Sequence, residues 1–238
     1  MAKIELLNSL AHNQLGVLAE YNSELGYDKG TVMVVPNELQ EIQREYPILF
    51  RKHNETGRFF PNALLGFAED ENLYLDGQGQ WRADYIPMVF RKGPFLISFT
   101  EEQNSRTPIL SIDLEDPRVI AERGEKLFNP EGKPSDYLQQ VNDVLSQLHE
   151  SSPLITVMVD AFNDANLIEP VTLDIQLNNG ETINFGGAYT IAEEKLQALD
   201  ADSLHQLNAQ GFLSAAYYIA GSLINIRKLI KIKNAQLR

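Results

Sequence analysis

The sequence predicts an α+β protein, with a mainly antiparallel sheet from the N-terminal half packed with C-terminal helices. Three observations carry that reading. Short apolar segments bounded by Gly, Asn, Asp and Pro crowd the chain up to Asp116-Pro117. Beyond that point apolar residues recur at spacings of three and four. The two patterns come in separated runs and not in strict βαβ alternation. The 238 residues, 43% of them apolar, suffice for a single domain over 1–238 or for two interleaved lobes, a strand-rich one over 1–116 and a helix-rich one with a hairpin over 117–238.

Val32 to Val35 reads as a strand. Pro36 and Asn37 follow, and Gln40 stands three residues after Asn37 in capping-box spacing, which predicts a helix of two turns near Glu38 to Glu45. Ile48 to Lys52 and the apolar run Phe59 to Phe67 flank Asn54-Glu55-Thr56-Gly57, the turn chemistry of a hairpin. Leu73-Tyr74-Leu75 before Asp76-Gly77 predicts another strand, and Phe95 to Phe99 and Ile109 to Leu114 predict two more.

Pro134-Ser135 opens a helix in which Leu138, Val141, Leu145 and Leu148 share a face. Pro153 begins a second, with Leu154, Val157, Met158 and Phe162 as its apolar side. Val171 to Leu177 and Thr182 to Phe185 alternate about Asn178-Asn179-Gly180, a hairpin near 171–185, and Gly186-Gly187 then breaks the ladder. Thr190 with Glu193 forms a second capping-box pattern before a short helix to Leu199, and Asp202 or Ser203 caps another that ends at Gly211. The last helix, about Phe212 to Lys233, carries a heptad-like seam of Phe212, Ala216, Ile219, Leu223, Ile226 and Ile230. A second stripe of Leu213, Tyr217, Ala220 and Ile224 makes its first half apolar nearly all round, which places it in a core or an interface.

Composition narrows the function classes. The net charge of −13 repels phosphate backbones, so no nucleic acid is expected as a partner. The chain has no cysteine, which removes thiol nucleophiles, disulfides and thiolate metal sites. Met1 to Val17 lacks a basic segment followed by an apolar run, and the expected location is cytoplasmic. The longest weakly polar stretch, Phe212 to Ile226, is shorter than the roughly 20 residues of a spanning helix, so no transmembrane segment is expected.

Tyr46-Pro47-Ile48-Leu49-Phe50, Gly57-Arg58-Phe59, Ala63-Leu64-Leu65-Gly66-Phe67, Glu71-Asn72-Leu73-Tyr74 with Gly79 and Trp81, and Tyr85-Ile86-Pro87 before Arg91 and Pro94-Phe95 form an ordered series of short motifs. Glu125-Lys126-Leu127-Phe128, the Asn179-Gly180 turn, Gly187-Ala188-Tyr189, Glu194-Lys195-Leu196, Gly211-Phe212-Leu213 and Ser222-Leu223-Ile224-Asn225-Ile226 extend it. In these motifs the chain resembles the SapC-like family, over about Tyr46 to Leu229. The resemblance implies an accessory protein of Gram-negative bacteria, in a family named after a surface-array gene-cluster protein. Its members are encoded near TonB-dependent receptors, flavin-dependent halogenase-like proteins and cupin-like oxygenases. It carries over no catalytic residue. A peptide-transporter permease role, which some labels attach to the name, conflicts with the lack of a spanning segment.

Read by themselves, the residues offer few chemical signatures. His12, His53, His149 and His205 are scattered, with none of the paired spacing of a helical metal site, so no metal is expected. Glu69-Asp70-Glu71 and Glu101-Glu102 have the character of solvated loops. Gly221-Ser222-Leu223 is not a nucleophile elbow and Gly186-Gly187 is not a phosphate loop, so no cofactor is expected. The segment Arg44 to Phe99 holds 11 of the 21 aromatics, interleaved with Arg51, Lys52, Arg58, Arg82, Arg91 and Lys92. Rings and guanidinium groups together suit recognition of a peptide or an anion, although aromatics in a sheet mostly pack into its core. The C-terminal cations Arg227, Lys228, Lys231, Lys233 and Arg238 favour the end of a helix, or else meet an acidic partner or an anionic membrane surface.

The expectation is therefore a non-enzymatic accessory protein that binds a protein or peptide through Arg51, Trp81, Tyr85 and Arg91. A homodimer joined through Phe212, Ile219, Leu223, Ile226 and Ile230 is expected unless the fold itself surrounds that helix. The alternative is an enzyme or enzyme subunit acting on a peptide or small molecule with carboxylates drawn from distant parts of the chain.

Overall fold

The computed structural model describes residues 2–102, 105–121 and 123–237. In chain order the strands are β1 (Ile4–Leu6), β2 (Gly16–Val17), β3 (Thr31–Met33), β4 (Ile48–Lys52), β5 (Phe59–Leu64), β6 (Phe95–Glu102), β7 (Ser105–Asp113), β8 (Val119–Ile120), β9 (Glu125–Lys126), β10 (Ile168–Gln176) and β11 (Thr182–Ile191). The helices are α1 (Leu39–Ile42), α2 (Met88–Arg91), α3 (Asp136–Asp164), α4 (Glu193–Gln197), α5 (Ala201–Ala209), α6 (Phe212–Ser222) and α7 (Ile226–Gln236). The strands pair antiparallel, and the fold is α+β, as the patterning predicts. The chain forms two compact units, each assembled from two separated stretches: Met1–Tyr27 with Met88–Glu150, and Asp28–Pro87 with Ser151–Arg238.

The first unit contains two three-stranded sheets, in the orders β1-β7-β6 and β8-β2-β9. Its core joins Val17, Phe95, Ile112 and Leu127 to Leu138, Val141 and Leu145 of α3, the face that the helical spacing predicts. Asp116 and Arg118 form a fork, with Arg118 Nε donating to Oδ1 at 2.7 Å and Nη2 to Oδ2 at 2.5 Å, while Nη1 donates to the Tyr27 hydroxyl at 3.0 Å. Burial raises the Asp116 carboxyl, but the Arg118 hydrogen bonds and charge outweigh it and hold the group below its ordinary value.

The second unit is built on a five-stranded sheet, β10-β11-β4-β5-β3. The β4–β5 hairpin has the predicted register, with Phe50 opposite Pro61 and Arg51 opposite Phe60. Phe50, Phe162 and Phe212 meet edge to face, centroids 6.2 and 6.5 Å apart, and so tie the sheet to α3 and α6. Ser222, fully buried, accepts from the Ile48 N–H at 2.8 Å and donates to the Ile219 carbonyl at 2.6 Å, pinning the end of α6 to the start of β4.

Several local expectations give way to tertiary packing. Pro153 does not begin a helix; α3 is continuous through it from Asp136 to Asp164. Buried Leu145 and Leu148 before the proline, and Met158 and Phe162 after it, offset the lost hydrogen bond. Leu154 and Val157, expected on the buried side, are 43% and 49% exposed. Leu73-Tyr74-Leu75 forms only one bridge, Leu75 to Trp81, because Asn72 and Asp76 side chains engage nearby backbone N–H groups and compete with a ladder. Gly186-Gly187 does break the ladder, at the register shift between Val171 and Leu173 opposite them, but β11 itself continues to Ile191.

Helix starts also differ from their signals. Glu38, not Asn37 or Gln40, reaches back to an N–H, that of Val35 at 3.1 Å. Asp200 caps α5 by accepting from Ser203 N–H at 2.7 Å. The last helix divides into α6 and α7 at a 3-10 turn over Leu223–Asn225. There the Asn225 amide donates to the carbonyls of Gln43 and Tyr46 at 2.8 and 3.3 Å, a long-range pairing that outweighs regular helix geometry.

Thr190 lies within β11, so it caps nothing. It is 5% exposed, and its Oγ1 has no partner among the described residues. Replacing it by isosteric valine is expected to stabilise the second unit by about 1 kcal/mol, because an unpaired buried hydroxyl costs desolvation without return. Urea unfolding followed by the fluorescence of Trp81, the single tryptophan, reads this unit; a loss of stability in Thr190→Val would show that the hydroxyl is satisfied in solution.

Candidate functional site

Two of the sequence-predicted binding residues, Trp81 and Tyr85, belong to one hydrogen-bonded network around Tyr46. Tyr46 follows α1 and is fully buried. Its hydroxyl donates to the Tyr85 carbonyl and accepts from Trp81 Nε1 at 2.7 Å. The Tyr85 hydroxyl donates to Glu38 Oε2 at 3.1 Å. Trp81 stacks on Tyr74, 6.2 Å between centroids and 11° between planes, and Tyr74 donates to the Glu45 carbonyl at 2.7 Å. The Glu45 carboxylate accepts from Asp84 N–H at 2.9 Å and pairs with Lys228.

Electrostatics in this network follow from burial. Burial pushes the Tyr46 and Tyr74 hydroxyls well above the usual phenol value, so both remain protonated donors. Burial also raises Glu45, but the bonds from Lys228 and from Asp84 N–H outweigh it and keep the carboxyl below its ordinary value. Of the C-terminal cations, Lys228 and Lys233 are thus drawn inward, the latter onto Glu71. Arg238 lies outside the described residues.

The remaining predicted residues lie elsewhere. Arg51, on β4, places its guanidinium 4.7 Å from the Phe185 ring centroid. Arg91 ends α2 in the other unit. Phe212 and Ile219, at 7% and 0% exposure, are covered by their own unit, and Leu223, Ile226 and Ile230 are half-buried. The apolar surface that α6 and its 3-10 turn leave outside is Tyr217 and Ile224, at 50% and 64% exposure, from the second stripe.

A cleft of about 530 Å³ opens in the second unit between the β4–β5 hairpin and α3. The hairpin turn is closed by His53 N–H to Arg58 carbonyl at 2.8 Å, with Gly57 at φ 66°. His53 Nδ1 accepts from the N–H groups of Glu55 and Thr56 at 3.3 and 3.4 Å, which leaves Nε2 as the protonated nitrogen. Met33, Phe59 and Phe60 form one wall and Ile155 and Val159 the other. His53, Thr56, Arg58 and Asp160 are polar side chains of the lining, alongside Ser152 and Asn163. Arg58 is exposed and forms no ion pair among the described residues.

Sequence reasoning included Arg58 and both phenylalanines in its aromatic and basic segment but did not single them out. It missed the helix side altogether. The available signal was the excess of apolar residues over 154–162, more than one buried face needs: Leu154, Ile155, Val157, Met158, Val159 and Phe162. The cleft can hold an apolar group, with polar side chains in the same lining. It carries one carboxylate, Asp160, and the cavity beside Arg51 carries one, Glu69. No group of three or more His, Asp or Glu side chains placed to hold a metal occurs among the described residues. None of the helices described is long and apolar enough to cross a membrane.

These features define an α+β protein whose second unit holds an apolar cleft lined also by Arg58 and Asp160, and a hydrogen-bonded aromatic network around Tyr46. The chain belongs to the SapC family, whose model matches residues 7–229. No curated protein and no solved structure matches it.

Proposed function

We propose that the protein is a non-enzymatic cytoplasmic accessory protein that binds a polypeptide partner in the cleft between β5 and the second half of α3. The apolar cleft, with Arg58 in its lining and without an ion pair among the described residues, carries this reading. An apolar side chain seated between Phe60 and Ile155 loses its water, and an acidic or carbonyl group of the same segment meets Arg58. The single carboxylate in the cleft favours binding over paired acid and base chemistry, which needs two in different environments. The surface-layer and TonB-dependent receptor systems that the family resemblance implies are the partners to test first.

A photo-crosslinking residue at Thr156, in protein expressed in its own host, tests the proposal. The expected result is a discrete polypeptide adduct, identified by mass spectrometry, that does not form from exposed Glu193. Arg58→Glu and Ile155→Glu should each weaken binding of that partner at least about tenfold, the loss of one charge-assisted contact or one apolar anchor. A cleft that yields no polypeptide adduct but retains a small molecule in native mass spectrometry would overturn the reading in favour of the enzyme alternative.

A further inference from the structure

Arg51 stands on the wall of a second cavity of the same unit, about 550 Å³ in volume, separate in its lining from the cleft. Lys29, Thr31, Glu69, Asn184 and Gly186 share that wall. Besides lying on the Phe185 ring, the guanidinium donates through Nη1 to the carbonyls of Gly186 and Gly187 at 3.2 and 3.3 Å. Ring and carbonyls together hold its plane. The opposite edge, Nε with Nη2, has no partner among the described residues. That edge presents two parallel N–H groups, the geometry that fits both oxygens of a carboxylate or two of a phosphate. The same protein shows such an edge filled where Arg118 grips Asp116 through Nε and Nη2.

The charges on the wall agree. Its ionisable groups are Lys29, Arg51 and Glu69, a local excess of one positive charge in a chain of net −13. Lys29 is 57% exposed and only 3.9 Å from Asp28 Oδ1, a pairing loose enough to release for a stronger anion. Gly186 adds a spatial argument. It has no positive φ, and an added Cβ would meet only Asn184 Oδ1, at 3.8 Å. The fold therefore does not require glycine there, and the missing side chain leaves room on the cavity wall beside Arg51.

We propose that this cavity is an oxyanion site, which takes the carboxylate or phosphate group of a small ligand on the Nε and Nη2 edge of Arg51, with Lys29 as the second cation. The site stands on observations independent of the cleft and survives if the cleft reading fails.

Guanidinium N–H spectra, recorded while inorganic phosphate or, separately, acetate is titrated at constant ionic strength, test it directly. The expected result is a saturable shift of the Arg51 Nε–H signal with at least one of the two anions, while Arg118, whose fork is occupied, does not move. A response to phosphate alone, to acetate alone or to both then assigns the ligand chemistry. Arg51→Gln should weaken binding at least about tenfold, as loss of a charged fork requires. An Arg51 signal that stays fixed, or drifts linearly together with exposed Arg58 and Arg82, overturns the proposal, as does saturable binding that persists in Arg51→Gln. Should that variant fail to fold, Gly186→Ala decides: binding weakened about threefold or more at an unchanged unfolding midpoint sustains the site, and unchanged affinity overturns it.

Discussion

Phe162→Ala is expected to destabilise the second unit by about 3–5 kcal/mol, the largest effect of any single change considered. Phe162 is fully buried and contacts both Phe50 of β4 and Phe212 of α6. Its removal costs the transfer free energy of the ring and leaves a cavity where three elements meet, which none of them can close alone because each is fixed by further bonds. The Ile48 N–H to Ser222 contact, for example, holds β4 and α6 at a set distance. Urea unfolding read by Trp81 fluorescence isolates this unit. Ile224→Ala, at a position 64% exposed, serves as the control and should stay within about 0.5 kcal/mol of the unaltered chain. A Phe162→Ala effect below about 1 kcal/mol would mean that the ring cluster is not the centre of the core.

The second large effect is that of Tyr46→Phe, expected at about 2–4 kcal/mol. The substitution keeps the ring and deletes one oxygen, yet it removes two hydrogen bonds at once, the one from the Trp81 indole N–H and the one to the Tyr85 carbonyl. Removing one partner of a part-buried hydrogen bond costs about 1–3 kcal/mol. Tyr85→Phe removes the bond to a Glu38 carboxylate that keeps its contact with Val35 N–H, and should cost clearly less. The comparison also separates two roles for Trp81. If the network is purely structural, Tyr46→Phe lowers stability and leaves partner affinity of the folded protein unchanged. If the Trp81 and Tyr85 surface binds the partner, affinity falls as well, and the cleft is not the whole site.

Part of this fold was legible in the chain because the determining interactions are local. The alternation of Val171 to Leu177 and Thr182 to Phe185 about Asn179-Gly180 specifies the β10–β11 hairpin within fifteen residues. The turn at Asn54 to Gly57 does the same for β4 and β5. Leu138, Val141 and Leu145 announced the buried face of α3 by spacing alone. Pro153 misled for the same reason: its local cost is real, and only burial of side chains on both sides of it reverses the outcome.

The candidate site was less legible. The segment rich in arginine and aromatics supplies Phe59, Phe60 and Arg58 to the cleft and Arg51 to the second cavity. Which of those rings face a cleft and which are consumed inside could not be read from their order. Trp81 and Tyr85 look like recognition residues until Tyr46 and Glu38 are found against them.

By itself, then, the sequence determined the α+β class, both hairpins, the buried stripe of α3, the family resemblance and the exclusion of thiol chemistry. These follow from composition and from contacts within a few residues, where backbone sterics and period act alone. Tertiary structure decided that α3 runs through Pro153, that Ser222 and Asn225 bond to backbone more than 170 residues away, and that Ile155 and Phe60 line the same cleft. Those pairings form because distant apolar surfaces are buried together and the polar groups carried in with them must find partners, and no short stretch of chain contains that information.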